Sequence, residues 1–330
     1  MARLSRSWSR RPIVFFLIFL ALALAFAGKG LVVAYKKIPI QRGPLNTYYP
    51  LVSETGKAPS LRFFALGDSG TGEADQFAVA AAMERRCLEL GGSVQAILLL
   101  GDNFYVEGVS STEDPQWEDK LLGPYGSPCL KNLPIQAILG NHDYKGNAQA
   151  QVDYSLKKPR WKMPHRFYSV EYGDLLKIVS IDALYFAPCG SAEFCSHDFA
   201  KKALTESPAN WKIVLSHYPL QSSNRAGYGY TGNSLFGHFS HWSLCGDYDM
   251  WLSGHTHHME YRDDSACKAA LMISGGGGQN LATNLKPAEG PSQFVASSFG
   301  FLDLDVQSSE LAFHFIDQNS KVLYSKRLKK

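Results

Sequence analysis

Five short clusters in this 330-residue chain carry side chains that could bind metal ions or handle protons. They are Gly67-Asp68-Ser69-Gly70, Gly101-Asp102-Asn103-Phe104-Tyr105, Gly140-Asn141-His142-Asp143, Ser216-His217-Tyr218-Pro219 and Ser253-Gly254-His255-Thr256-His257-His258. Asp68, Asp102, Tyr105, Asn141, His217, His255 and His257 are all oxygen or imidazole donors. Neutral imidazole suits iron and zinc, and carboxylate oxygens suit harder ions. Each cluster alone says little, since Gly-Asp is a common turn and a lone His is usually structural. Together they read as a two-metal site in which one carboxylate is shared. Two ions about 3.5–4 Å apart can clamp the attacking and leaving oxygens of a displacement at phosphorus.

The five clusters have a common setting. Each follows a short apolar run, at residues 61–66, 96–100, 135–139, 212–215 and 250–252. Runs this short and this apolar predict buried strands. Residues 73–90 are Ala-rich and free of Gly and Pro, which predicts a crossover helix between the first two strands. Strand, polar turn, helix, strand is the logic of a mostly parallel α/β sheet. Ligands of such sheets gather outside the carboxyl ends of the strands, where the clusters fall. Residues 269–274, 300–306, 311–316 and 322–325 alternate and turn tightly, which predicts antiparallel strands forming a second sheet. The four prolines of residues 36–60 suggest a linker or a strap on the surface. The organisation expected is 1–27 signal or anchor, 28–60 linker, and 61–330 a single catalytic domain.

The net charge of +3 comprises two unlike parts. Residues 1–30 hold Arg3, Arg6, Arg10, Arg11 and Lys29 and no acid, so the rest has 28 basic and 30 acidic groups. That balance excludes a basic nucleic-acid binder. Arg3 to Arg11, the apolar run 13–27 and the ending Ala25-Phe26-Ala27 describe a cleavable secretory signal. The apolar patch 31–35 makes an uncleaved membrane anchor through residues 13–35 the alternative, and either reading exports the body of the protein. Six cysteines suit an oxidising compartment and up to three disulfides, with Cys189 and Cys195 placed to clip one loop. Buried free thiols are the alternative. Cysteine metal sites are not expected, because no C-x-x-C pair is present.

The five clusters in this order resemble the metallophosphoesterases, the calcineurin-like superfamily, and within it the small purple, tartrate-resistant acid phosphatases. Most metallophosphoesterases place a His two residues after the first Asp; here Gly70 stands there and Tyr105 replaces the lost ligand. The resemblance runs from about residue 61 to 330. It implies a four-layer αββα sandwich, two mixed β-sheets flanked by helices. It implies a ferric ion held by Asp68, Tyr105, His257 and the bridging Asp102. A second, divalent ion (Fe, Zn or Mn) would share Asp102 and take Asn141, His217 and His255. The implied activity is hydrolysis of phosphate monoesters, small ones or phosphoproteins, by a hydroxide that the two metals activate. His142 is expected to stabilise the phosphoryl group and assist the leaving alkoxide, or else to orient Asn141. The expected protein is a monomeric, exported acid phosphatase. A phosphodiesterase on the same core and an inactive binding protein of this fold are the alternatives.

Other features are read more plainly. His258 is expected to be a rim histidine without chemistry. Gly227 to Gly232 is either a flexible pocket wall or an ordinary surface loop. The stretch 187–199 is shorter than the excisable loop of tartrate-resistant enzymes, so activation by proteolysis is not carried over. Lys326, Arg327, Lys329 and Lys330 are expected to form a solvated strand end.

Overall fold

The proline-rich segment ahead of the first motif contributes an exposed strand, β1 (Asn46–Tyr49), to the edge of a sheet. It pairs in parallel with β6 (Tyr168–Tyr172), and Tyr49 stacks on Tyr172 with ring centroids 5.3 Å apart. The computed structural model describes residues 43–51, 60–186, 195–224 and 235–330. The expected signal or anchor and the loop Gly227 to Gly232 lie outside these residues. So does most of the short stretch after the third motif, with Cys189 and its expected pairing to Cys195.

The apolar runs are strands with bounds close to those expected. β2 (Leu61–Leu66), β3 (Ala96–Leu99), β4 (Ile135–Ala137) and β5 (Trp161–Lys162) pair in parallel. Helix α1 (Ala74–Glu89) crosses from β2 to β3, with the expected end residues Glu73 and Leu90 serving as its caps. Val79, Ala80, Met83 and Cys87 recur at helical spacing and bury one face of it. Helix α2 (Ala148–Lys157) follows the third motif, with its first turn capped by Asn147.

The second sheet has the order β1-β6-β7-β8-β9-β11-β10-β12. Its members after β6 are β7 (Leu176–Ser180), β8 (Trp211–Leu215), β9 (Met250–Ser253), β10 (Met259–Asp264), β11 (Ala269–Ser274) and β12 (Ser292–Ala296). Helices α3 (Ser196–Thr205) and α4 (Leu235–Leu244) belong to this half of the chain. The strands β13 (Gly300–Val306), β14 (Glu310–Asp317) and β15 (Val322–Lys329) do not form a sheet of their own, contrary to expectation. β13 pairs antiparallel with β2, so the carboxyl-terminal strands complete the first sheet, β15-β14-β13-β2-β3-β4-β5. β11 joins the other sheet beside β9. Alternation marks a strand, but it is the same whichever partner the strand finds.

The alternation also shows the layers. Ile213 and Leu215 of β8 pack into a core shared with Phe63, Leu98 and Ile135 of the first sheet. Val214, between them, points the other way onto Phe199, Ala200 and Leu204 of α3 and Phe236 of α4. Two mixed sheets therefore face each other with helices outside, the αββα sandwich expected. Two motif loops are thereby supplied by the second sheet and three by the first, so the site lies where the carboxyl edges of two sheets meet. The join is hydrogen-bonded: Gly67 N donates to Ser274 O at 2.7 Å and Ser274 Oγ to Ala65 O at 2.8 Å.

One ion cluster fastens α1 to the first sheet. Asp303 of β13 is fully buried and accepts from Arg62 at 3.1 Å and Arg86 at 2.9 Å. Removing it takes the buried partner from two guanidiniums, leaving Arg62 with Asp305 and Arg86 with Glu89. Asp303→Ala should therefore lower the unfolding free energy by about 2 kcal/mol in urea denaturation. A change near zero would show that the arginines do not need this partner.

Candidate metal centre

The chain turns sharply as it leaves each strand. Asp68, Asp102, His255 and His257 all have left-handed backbone, with φ of 59°, 52°, 68° and 48°. L-residues avoid this region at a cost of roughly 1–2 kcal/mol each. Only Lys268 and Ser320 share it among the other described non-glycine residues, so the strain is concentrated at the candidate ligands. The surrounding backbone holds them there: Asp68 N donates to Gly101 O at 3.1 Å, Gly254 N to His217 O at 3.1 Å, and Ala282 N to His257 O at 2.9 Å.

The structure brings all the expected donors to this junction of the sheets. Each carboxylate spends one oxygen on backbone and turns the other inward. Asp68 Oδ2 accepts from His255 N at 2.7 Å, and Asp102 Oδ1 accepts from His142 N at 2.8 Å. The Tyr105 hydroxyl sits between the two inner oxygens, 3.0 Å from Asp68 Oδ1 and 2.9 Å from Asp102 Oδ2. His257 Nε2 is 3.2 Å from the same hydroxyl. His217 Nε2 lies 3.2 Å from Asn141 Oδ1 and 3.4 Å from Asp102 Oδ2. The outer nitrogens of these two rings are held by carbonyls, His217 Nδ1 by Leu100 at 2.8 Å and His257 Nδ1 by Asn280 at 2.9 Å. That is how a protein fixes the tautomer and aim of a metal-binding imidazole. The His255 ring completes the group edge-on to His217, with centroids 5.0 Å apart.

The donor set fits a cation. Asp68, Asp102 and His217 offer ligand atoms all within 4.8 Å of one another. Among the described residues no lysine or arginine side chain hydrogen-bonds to either carboxylate, so the cations nearest them are imidazoles, His217 at 3.4 Å from Asp102 and His257 at 3.6 Å from Asp68. Burial pushes Asp68 above its ordinary range against the pull of His257. Burial and the two carboxylates drive the Tyr105 phenol well above 10. Burial disfavours charge on His217, yet the Asp102 carboxylate outweighs it and raises the ring to about 9. His255 is pushed down to about 2 by burial and by the neighbouring His217. An arriving ion would displace protons from Tyr105 and His217 and relieve the crowding of acceptors.

Gly70 explains the exchange of a His for Tyr105. A Cβ at position 70 would run into the Asn103 carbonyl and the Phe104 amide. The loop carrying Tyr105 thus lies directly on Gly70, and Tyr105 N donates to Gly70 O at 2.7 Å. A side chain at 70 and a phenol at this place exclude each other.

His142 lies at the mouth of the group. Its ring packs on Tyr105 with centroids 4.5 Å apart, and Nδ1 is 2.6 Å from Val106 O. Lys145 Nζ lies 3.1 Å from Nδ1. These ring contacts run to Val106 and Lys145 rather than to Asn141. His258 is not a rim residue, as expected from sequence. It is fully buried, with Nδ1 2.9 Å from Thr256 O and Nε2 3.0 Å from Glu260 Oε2. Its burial follows from the strand geometry of β10, which begins one residue later.

Two supports escaped sequence reasoning. Buried Asp143 accepts from Gly140 N at 2.8 Å, Asn103 N at 3.1 Å and Gln151 at 2.8 Å, so it cross-links the second and third motif loops. Burial and the nearby Asp102 push its carboxyl up to about 7. Its place in the third motif was the signal. Glu260 had none, since it lies inside a strand. Its carboxylate accepts from His258, from Ser223 N at 2.8 Å and Oγ at 2.7 Å, from Arg262 at 2.6 Å and from Ser292 at 2.9 Å.

The family follows from this geometry. A calcineurin-like phosphoesterase family model matches residues 61–259, and the chain belongs to that family. Within it the curated relatives are acid phosphatases. Tartrate-resistant acid phosphatase type 5 of Oryctolagus cuniculus is 27% identical over 318 residues, spanning 87% of this chain and 96% of its own. Purple acid phosphatase 3 of Arabidopsis thaliana is 28% identical over 292 residues, spanning 80% of this chain and 76% of its own. Among solved structures, GAP50, the anchor in the inner membrane complex of Plasmodium, shares the fold with a TM-score of 0.70 at 23% identity, over 83% of this chain and 89% of that one.

Gly70→Ala should displace the Asn103–Phe104 backbone and with it Tyr105. Metal affinity should fall roughly tenfold or more, as for other losses of ligand support. Metal titration by calorimetry measures this, and wild-type affinity would contradict the packing argument. Glu260 gives a pH prediction. Burial alone would raise its carboxyl, but the donors from His258, Ser223 and Arg262 hold it down at about 2, against an ordinary 4.5. A depressed acid contributes its full stability above the unfolded value and loses it as pH falls from 4.5 towards 2. Glu260→Gln should therefore be less stable near neutral pH by about 3 kcal/mol and show a flatter acid limb. Urea midpoints at a series of pH values decide it, and an acid limb as steep as that of the wild type would reject the assignment.

Proposed function

We propose that this chain is an exported acid phosphatase that hydrolyses phosphate monoesters at a dinuclear metal centre of the purple type. The observation that carries the reading is the Tyr105 hydroxyl held between Asp68, Asp102 and His257. A hard trivalent ion favours anionic oxygen, which a phenolate and two carboxylates supply. In this reading Asp68, Tyr105, His257 and Asp102 hold ferric iron. Asn141, His217, His255 and the shared Asp102 hold a divalent ion, Fe, Zn or Mn. When bound, the pair of ions would supply an acidified water as nucleophile and neutralise charge on the phosphoryl oxygens.

The chain's own residues do the rest. His217 and His257 are aimed by backbone carbonyls, so their inner nitrogens need no reorganisation as ions bind. His142 donates Nδ1–H to Val106 O, which leaves Nε2 as the ring atom for a substrate oxygen. There it would hold the phosphoryl group and, when Nε2 carries a second ring proton, pass that proton to the leaving alkoxide. Lys145 Nζ lies 3.5 Å from that Nε2 and adds positive charge where phosphate would bind. The substrates in this reading are small phosphate monoesters or phosphoproteins, and not nucleic acid. Residues 61–330 act as one monomeric catalytic domain, behind a linker and an amino-terminal signal or anchor. The disulfides Cys87–Cys129 and Cys245–Cys267 support export.

Iron-loaded protein should be coloured, and Tyr105→Phe should abolish the visible band; a band that persists would remove Tyr105 from the ligands. Asp102→Ala should release both ions, as elemental analysis would show, and two retained metals would contradict its bridging place. Side-by-side turnover of an aryl phosphate and a bis-aryl phosphate diester separates monoesterase from diesterase. The structural likeness to GAP50, an anchor, favours a second reading, a binding protein without turnover. Metal-loaded protein inert toward both esters at every acid and neutral pH tried would establish that reading instead.

A further inference from the structure

The disulfide between Cys245 and Cys267 ties the end of α4 to the turn joining β10 and β11. Its two sulfurs have unlike surroundings. Cys245 is exposed, whereas Cys267 is buried. Cys267 Sγ lies 3.2 Å from His241 Nε2, and that nitrogen is 2.7 Å from Asp264 Oδ2. The Cys267 amide donates to the other oxygen of Asp264 at 3.3 Å. Because Nε2 faces two acceptors, the hydrogen-bond pattern assigns it the proton. An Asp-His pair is thus aimed at the buried sulfur alone.

Cys87–Cys129 is built differently. Cys87 is buried in the main core, and Cys129 packs against it. Its charged neighbour is a carboxylate, Glu84, which accepts from the Cys129 and Leu130 amides at 3.1 and 3.2 Å. Both bridges thus have a carboxylate beside one cysteine, but among the described residues no imidazole lies against a sulfur of Cys87–Cys129 as His241 does against Cys267.

We propose that Cys245–Cys267 is a thiol-exchange site for a low-molecular-weight thiol, attacked at Cys245 and released at Cys267. The incoming thiolate bonds to Cys245 Sγ, and the S–S bond breaks with its electron pair going to Cys267 Sγ. That sulfur leaves as a thiolate that accepts a hydrogen bond from His241 Nε2–H, and no proton is transferred; Asp264, which shares that N–H, holds the ring in place. One disulfide replaces another, so the step needs no other oxidant or reductant. Exchange is faster when the departing sulfur is the better stabilised one, and a charge-assisted hydrogen bond does this for Cys267 only.

The test exposes the folded, oxidised protein to reduced glutathione, traps thiols with N-ethylmaleimide and maps the products by mass spectrometry. The glutathione adduct should form on Cys245 and the maleimide adduct on Cys267, with Cys87–Cys129 intact. Trp242, 79% exposed in the last turn of α4 and three residues before Cys245, should report the opening by fluorescence. His241→Ala should slow adduct formation roughly tenfold, and Asp264→Asn should slow it less. If His241→Ala does not fold, His241→Phe keeps a ring of similar size without an N–H to offer the departing sulfur, and the same slowing is expected. Adducts mainly on Cys267, equal opening of the two bridges, or an unchanged rate in the folded His241 variant would each overturn the proposal.

Discussion

Asp68 and Asp102 face each other across the Tyr105 hydroxyl, and most of the structure can be understood as the means of keeping them there. Two buried carboxylates repel, and burial by itself would neutralise them. Each is restrained by a backbone N–H on one oxygen, which leaves the other to face inward. The phenol has one proton for two carboxylate oxygens and an imidazole. The arrangement is short of positive charge, and it has that shortage at a place built for metal ions.

The restraint has a backbone cost. Four of the candidate ligands sit in left-handed conformations that ordinary residues avoid. Such strain persists where the surroundings over-determine it. Here the over-determination comes from the two sheets being stitched together beside Asp68, and from loops lying on one another so closely that Gly70 cannot carry a side chain. Asp143 and Glu260 belong to the same effort. One clamps the second motif loop to the third, and the other ties the segment after His217 to β10 and β12.

The charge of the chain reads differently with the site in view. The body carries no excess of base, and in the proposed reading any attraction for phosphate would come from bound ions with His142 and Lys145 beside them. The basic carboxyl-terminal residues are spent locally: Lys326 pairs with Asp263, Arg327 with Glu310 and Lys330 with Asp249. They lie along β15, as an ordinary strand end does.

The sequence by itself determined the strands, the crossover helix, the family and the residues that meet at the centre. Apolar runs ending in Asp, Asn and His are local patterns, and the Gly70/Tyr105 pair is visible in the letters alone. Tertiary structure decided everything that depends on which strand finds which partner. Alternation could not say that β13 would close onto β2, or that β11 would join β9. It could not say that Glu260 and His258 would be buried, because an acid within a strand looks the same facing water or facing donors. Six cysteines allow many pairings, and only the fold set Cys87 against Cys129 and Cys245 against Cys267, with His241 beside one sulfur of the second pair. Residue type and spacing are carried along the chain, whereas partners, burial and protonation are created only when distant segments meet.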